Sequence, residues 1–292
     1  MPKVVEEEKL EVWGYVVITV AIILTLFPLY WLFTTAIKPQ PDWLPSSPVW
    51  WPKKPILENF IWLFVEAGER ASFIITGAQR FEPALKSITD SAIVAGLGTL
   101  LSVVVGILAA FGISRHKIGG SGLPFLFLMI RMAPPVVAII PLIVLYSHLG
   151  LIDTYLGLIL AYGLFTAPYS IWMMKSFIDE IPRELEEVGL VEGLTPIETH
   201  FRVTLPLVRG GLVATALFLL ILNWSEFLFA LVLTHGSVVT IPVKETTYFT
   251  LSGNQYGPQA ALGVLAAMPL FIFGFIIQKY LARGLTFGAV KR

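Results

Sequence analysis

The sequence predicts an all-α integral membrane protein with six transmembrane helices, and three observations predict it. Residues of the AVILMFWYC class fill 56% of the 292 positions and DEKR only 14%, where soluble domains carry roughly a quarter charged residues. The mean hydropathy is +0.78. The apolar mass is gathered into six stretches, 12–36, 91–113, 123–149, 156–177, 211–234 and 260–281, each matching the roughly 20 residues that a helix needs to cross hydrocarbon. Lipid offers no water to open backbone, so these stretches are helices. The period-two alternation of an outer-membrane barrel is absent.

The first span follows an acidic stretch, Met1–Glu11, with four Glu against two Lys. With no small-residue cleavage site and an overlong apolar run, it reads as a spanning helix, not a secretory leader. Trp13 and Tyr15 mark one interface, Tyr30 and Trp31 the other. Residues 37–87 form a long loop whose prolines (Pro39, Pro41, Pro45, Pro48, Pro52) forbid one regular helix. Its tryptophans fit a docking surface for an outside partner or an interfacial aromatic belt. The second span, 91–113, is unbroken. The third, 123–149, carries Arg131, which lines a pathway or snorkels to the inner surface. It also carries Pro134 and Pro135, which free carbonyls and kink the span. The fourth, 156–177, leads into a polar loop, 178–210. The fifth, 211–234, holds Asn223, Ser225 and Glu226. Polar side chains there line a path or bond neighbouring helices. The sixth, 260–281, closes a single domain over 1–292.

Lys and Arg counts orient the bundle. The 114–122 loop, the 178–210 loop and the tail hold Arg115, Lys117, Arg183, Arg202, Arg209, Arg283, Lys291 and Arg292. The 150–155 turn has none and the 235–258 loop only Lys244. Both termini are therefore expected in the cytoplasm and the 37–87 loop outside. Six Lys and Arg in that outer loop run against the rule, but long loops translocate with less regard to charge.

Much chemistry is excluded. Twenty Lys+Arg balance twenty Asp+Glu, so nothing marks a nucleic-acid partner. There is no Cys, and four scattered His lack ligand spacing, so no metal site, cofactor or catalytic residue is expected. No Gly-Lys pair exists, hence no phosphate-binding P-loop.

The 178–210 loop is the informative segment. Pro182 suits the start of a helix whose first turns hold Glu184, Glu186 and Glu187, where the macrodipole favours acids. Gly193 supplies a stop. Thr195-Pro196-Ile197-Glu198 is a capping box that opens a second short helix running to Thr204, which Leu205-Pro206 ends. Leu185, Val188 and Gly189 make a small apolar face among glutamates, either a plug for a partner's cleft or a surface that packs on its own bundle.

This stretch, Pro182 to Pro196 with Phe201-Arg202-Val203-Thr204-Leu205-Pro206, resembles the EAA loop of binding-protein-dependent ABC importer permeases. Glu187, Glu192, Gly193, Leu205 and Pro206 match that pattern, and Val188 and Gly189 replace its two alanines. Pro52–Phe60, Met132-Ala133-Pro134-Pro135 with Pro141, Asn223–Phe227 and the tail Arg283–Arg292 resemble motifs of the carbohydrate branch, second permease of the maltose-transporter type. Glu66–Pro83 departs from the pattern. The resemblance implies a type I ABC importer permease fold in a bacterial or archaeal inner membrane. It also implies a heterodimer with a second permease, two ATPase copies, an extracytoplasmic sugar-binding protein and a carbohydrate substrate. The coupling helix would be the 182–206 loop, with Glu187, Val188, Gly189, Glu192, Gly193, Leu205 and Pro206 at the ATPases. Arg131, Pro134, Pro135, Asn223 and Glu226 are candidates for the path. The rival is an ion-gradient-driven carrier of a small polar solute, which would bury several ionisable residues and pair broken helices in two related halves. Here the spans hold mainly Arg131 and Glu226, and no repeat is evident.

Overall fold

A computed structural model describes residues 12–65, 83–120, 122–250 and 253–288. The N-terminal Met1–Glu11, all but Pro83 of the divergent 66–83 stretch, and the last four residues lie outside them. In order, the chain forms α1 (Val12–Ala36), α2 (Glu58–Ile61), α3 (Leu85–His116), α4 (Leu123–Met132), α5 (Pro135–Leu149) and α6 (Tyr155–Asp179). There follow α7 (Arg183–Val191), α8 (Pro196–Thr199), a π-helical turn (His200–Thr204), α9 (Leu205–Leu207), α10 (Arg209–Trp224), α11 (Leu228–Leu233) and α12 (Ile241–Thr246). A hairpin of two two-residue strands, β1 (Phe249–Thr250) and β2 (Gly253–Asn254), precedes α13 (Tyr256–Gly288).

Four helices, α1, α3, α6 and the 256–278 part of α13, are long and apolar enough to cross a membrane alone. The third span is two helices, α4 and α5, bent by 90°. The two prolines do more than kink it. Ala133 and Pro134 are extended (ψ 136° and 129°), because a residue preceding proline is driven out of the α region. The fifth span is also broken, with Ser225–Phe227 separating α10 from α11.

The chain divides into two compact units, 1–83 with 248–265, and 84–247 with 266–292. In the first, the proline-rich loop folds back over the end of α1. Asn59 Nδ2 donates to the carbonyls of Ala36 (2.9 Å) and Lys38 (3.0 Å), and Ile56 N to Ile37 O. Trp50 packs on Phe27 and Trp31 and accepts the Tyr30 hydroxyl at its carbonyl. Lys38, one of the cations that run against the expected orientation, is buried with Nζ 3.8 Å from the centre of the Trp31 ring.

The second unit is built on α3 against α6. Gly98, Gly106 and Gly163 let their backbones approach closely, as membrane helices pack through small residues. One cluster joins Val94, Leu158, Tyr162, Phe229 and Leu233; a second joins Val103, Ile107, Met174, Ile178 and Leu219.

Two carboxylates fasten the segment after α11 to this core. Asp90 accepts Tyr155 Oη (2.6 Å), Lys86 Nζ (2.9 Å) and Val239 N (2.8 Å). Asp153, in the turn between α5 and α6, accepts the backbone N–H groups of His235, Ser237 and Val238. Burial acts to raise the Asp153 carboxyl, but those N–H donors outweigh it and hold it down to about 2. A depressed acid stabilises above its ordinary value of 3.8 and loses that contribution as pH falls through about 2. Amide exchange of residues 235–238 should therefore stay slow down to that window, whereas Asp153→Ala should exchange fast already at neutral pH.

Candidate functional site

The 178–210 loop forms the bent pair that its caps predict. Thr195 Oγ1 accepts Glu198 N (3.3 Å) while Glu198 Oε2 accepts Thr195 N (2.9 Å), closing the capping box. Gly193 adopts φ +91°, which no side chain tolerates well, and the turn is closed by Leu194 N to Gly189 O (3.1 Å).

Two local expectations are corrected. Leu205-Pro206 does not end the helix: helical turns run from Pro196 to Leu207 and bend by 80° into α10 at Val208. Proline lacks an N–H and crowds the carbonyl four residues back, and the chain meets this with a π turn over His200–Thr204. The apolar face also differs. Gly189 turns inward onto Leu194 and Thr199, while Leu185 (46% exposed), Val188 (57%) and Val191 (89%) form the outward stripe. Glu184, Glu187 and Glu192 are exposed around it. An alanine at Gly189 would meet its neighbours at an ordinary 3.4 Å, so the family's residue fits this site as well.

The adjacent Glu186 behaves differently. It is 7% exposed. Oε2 lies 2.7 Å from Arg115 Nε at the end of α3, and Oε1 accepts Thr204 Oγ1 at 2.7 Å. The Arg115 N–H points off that oxygen, so the contact is an ion pair rather than an aligned hydrogen bond. Arg115 Nη2 donates to the carbonyls of Ile178 (2.9 Å), in the last turn of α6, and Ile181 (3.0 Å), just past its end. Arg183 Nη2 donates to Ser114 O, and Asp179 binds Ser114 and Lys175. Arg115 is visible in sequence only as an inner-loop charge and Glu186 only as one acid among several. The signal that finds Glu186 is its spacing, three residues before the small Gly189 on one helix face.

The intramembrane candidates are held by the protein itself. Asn223, 2% exposed, donates from Nδ2 to Thr99 Oγ1 (3.0 Å), tying α10 to α3. The Glu226 carboxylate accepts the N–H groups of Leu228 (2.9 Å), Phe229 and Ala230, capping α11 where the fifth span breaks. Arg131 pairs with no acid among the described residues: its guanidinium lies 3.9 Å from the centre of the Phe165 ring and 5.2 Å from that of Tyr169, midway along α6. Pro134 and Pro135 sit at the 90° break.

The model of a family described as binding-protein-dependent transport system inner membrane component matches residues 102–287. The chain is 32% identical over 266 residues to the probable ABC transporter permease protein y4oR of Sinorhizobium fredii, covering 91% of this chain and 90% of that one. It is 31% identical to the trehalose/maltose transport system permease protein MalG of Thermococcus litoralis, covering 92% of each. It is 30% identical to the diacetylchitobiose uptake system permease protein DasC of Streptomyces coelicolor, covering 96% of this chain and 97% of that one. A solved bacterial ABC transporter involved in the import of the acidic polysaccharide alginate shares the fold, with a TM-score of 0.72 at 18% identity over 92% of this chain and 95% of that one.

Proposed function

The chain belongs to the binding-protein-dependent transport system inner membrane components, and on that premise we propose that it is a permease subunit of an ATP-driven carbohydrate importer. It is a multi-pass membrane protein with up to six spans; the bacterial or archaeal cytoplasmic membrane, with both termini inside, is the setting proposed here. A second permease completes the translocation path, two ATPase subunits bind below, and an extracytoplasmic binding protein delivers the sugar. The relatives named for trehalose, maltose and diacetylchitobiose support a carbohydrate substrate.

The observation that carries the reading is the bent α7–α8 segment, whose outward stripe of Leu185, Val188 and Val191 is ringed by exposed glutamates. A small apolar knob with an acidic rim suits a cleft with basic edges. With no P-loop of its own, the chain takes its energy through that contact. Glu187 and Glu192 make it, Val188 and Gly189 shape the knob, Gly193 permits the bend, and Leu205 and Pro206 lead back to the membrane.

The test is to tag the chain, extract it gently from native membranes and identify what accompanies it. An ATPase and a second multi-span permease in stoichiometric amounts are expected. A lone chain or simple homodimer that takes up solute only while an ion gradient stands would overturn the reading in favour of a secondary carrier.

A further inference from the structure

We propose that Glu186 and Arg115 are positioning residues that lock the coupling helix to the membrane core, so that α7, the inner ends of α3 and α6, and the entry to the fifth span move as one body. This rests on the reading of α7–α8 as the coupling segment, and it gives two adjacent glutamates opposite tasks. Glu187 faces outward; Glu186 faces inward and never meets the ATPase.

The geometry supports a lock rather than a chance contact. One carboxylate binds two elements at once, Arg115 of α3 through Oε2 and Thr204 of the π turn through Oε1, each at 2.7 Å. The same guanidinium holds the carbonyls of Ile178 and Ile181, which close α6. Five segments, α3, α6, the turn after it, α7 and the π turn, therefore meet at one buried ion pair. Only a planar fork reaches carbonyls and carboxylate together, so lysine cannot replace Arg115. Breaking such a pair leaves an uncompensated buried charge, which keeps it closed during the motion. Besides this pair, Gly189 of α7 packs on Leu194 and Thr199 within the coupling segment itself, and the side-chain bond from α7 to α3 is a long one, Arg183 to Ser114 O (3.3 Å). Without the pair, a push on α7 would swing the helix instead of moving the spans.

The experiment uses the complex extracted with its partners and returned to lipid vesicles. The chain has no cysteine, so a single Ser225→Cys, at the break between α10 and α11, reports conformation through its rate of labelling by a maleimide, with and without ATP plus vanadate. The parent should change its rate on trapping. Glu186→Gln, which keeps volume and the acceptor for Thr204, should keep assembly and ATP hydrolysis while the ATP-dependent change in labelling falls by about tenfold or more. Thr204→Val, which removes one hydrogen bond and leaves the ion pair, should lose part of the response. Glu186→Gln with the parent's response would overturn the lock. Loss of assembly in Glu186→Gln together with full coupling in Thr204→Val would overturn it too, by reducing the pair to a folding contact. A parent that hydrolyses no ATP would instead sink the importer reading itself, a separate failure.

Discussion

Glu187→Lys is expected to abolish sugar uptake while leaving the chain inserted in the membrane and folded. The side chain is exposed on α7 and joins no ion pair among the described residues, so the change breaks nothing inside the protein. Lysine also has high helix propensity, and α7 keeps Glu184 and Glu186 in its first turn. The damage falls on the partner. A cation set against a basic cleft turns attraction into repulsion, which costs several kcal/mol and hence about a hundredfold or more in affinity. Uptake should fall to background, and the ATPase should be lost from the purified complex or bound far more weakly. Uptake equal to the parent's would show that α7 does not dock through this residue. Glu187→Gln separates the causes, because it removes charge without reversing it and should retain partial uptake.

The apolar spans were legible because apolar length is a one-dimensional signal. All six stretches coincide with helices, although α3 starts at Leu85 rather than Ser91 because Lys86 and Asp90 depress hydropathy while pairing with each other. The capping box and the Gly193 turn were legible for the same local reason. What sequence could not give was direction. The i, i+3, i+4 pattern puts Leu185, Val188 and Gly189 on one face, yet the facing partners split that set, Gly189 inward and the other two outward. Glu226 illustrates the same gap: an acid in a span reads as a path residue or as a bundle contact, and it serves as the cap of a helix break that hydropathy does not reveal. Broken spans were expected of the ion-driven rival, but here Glu226 and a Pro-Pro pair account for the breaks locally. The long-range partners Arg115, Thr204 and Asp153 left no local trace.

One long-range contact does have a sequence signature. Gly98, Ser102, Gly106 and Ala110 recur every four residues along α3 and are buried there, the spacing through which helix backbones approach in lipid. A Cβ built at Gly106 falls closer than 3.0 Å to the Ser170 side chain and 3.0 Å from its backbone carbon, so α6 itself would have to retreat. Gly106→Ala is therefore expected to destabilise the chain by about 2–3 kcal/mol, the upper range for an overpacked core, with a clear fall in the thermal midpoint of the detergent-purified protein. The comparison that isolates packing is Gly96→Ala on the same helix, where nothing lies within 4 Å of the new atom. Alanine is the better helix former by up to about 1 kcal/mol, so Gly96→Ala should leave the midpoint unchanged or raise it. Equal effects of the two changes would mean that α3 and α6 are not in backbone contact at Gly106. Opposite signs would locate the contact to that turn, and Gly106→Ala should then also lose assembly with its partners, because α3 carries Arg115 in its last turn.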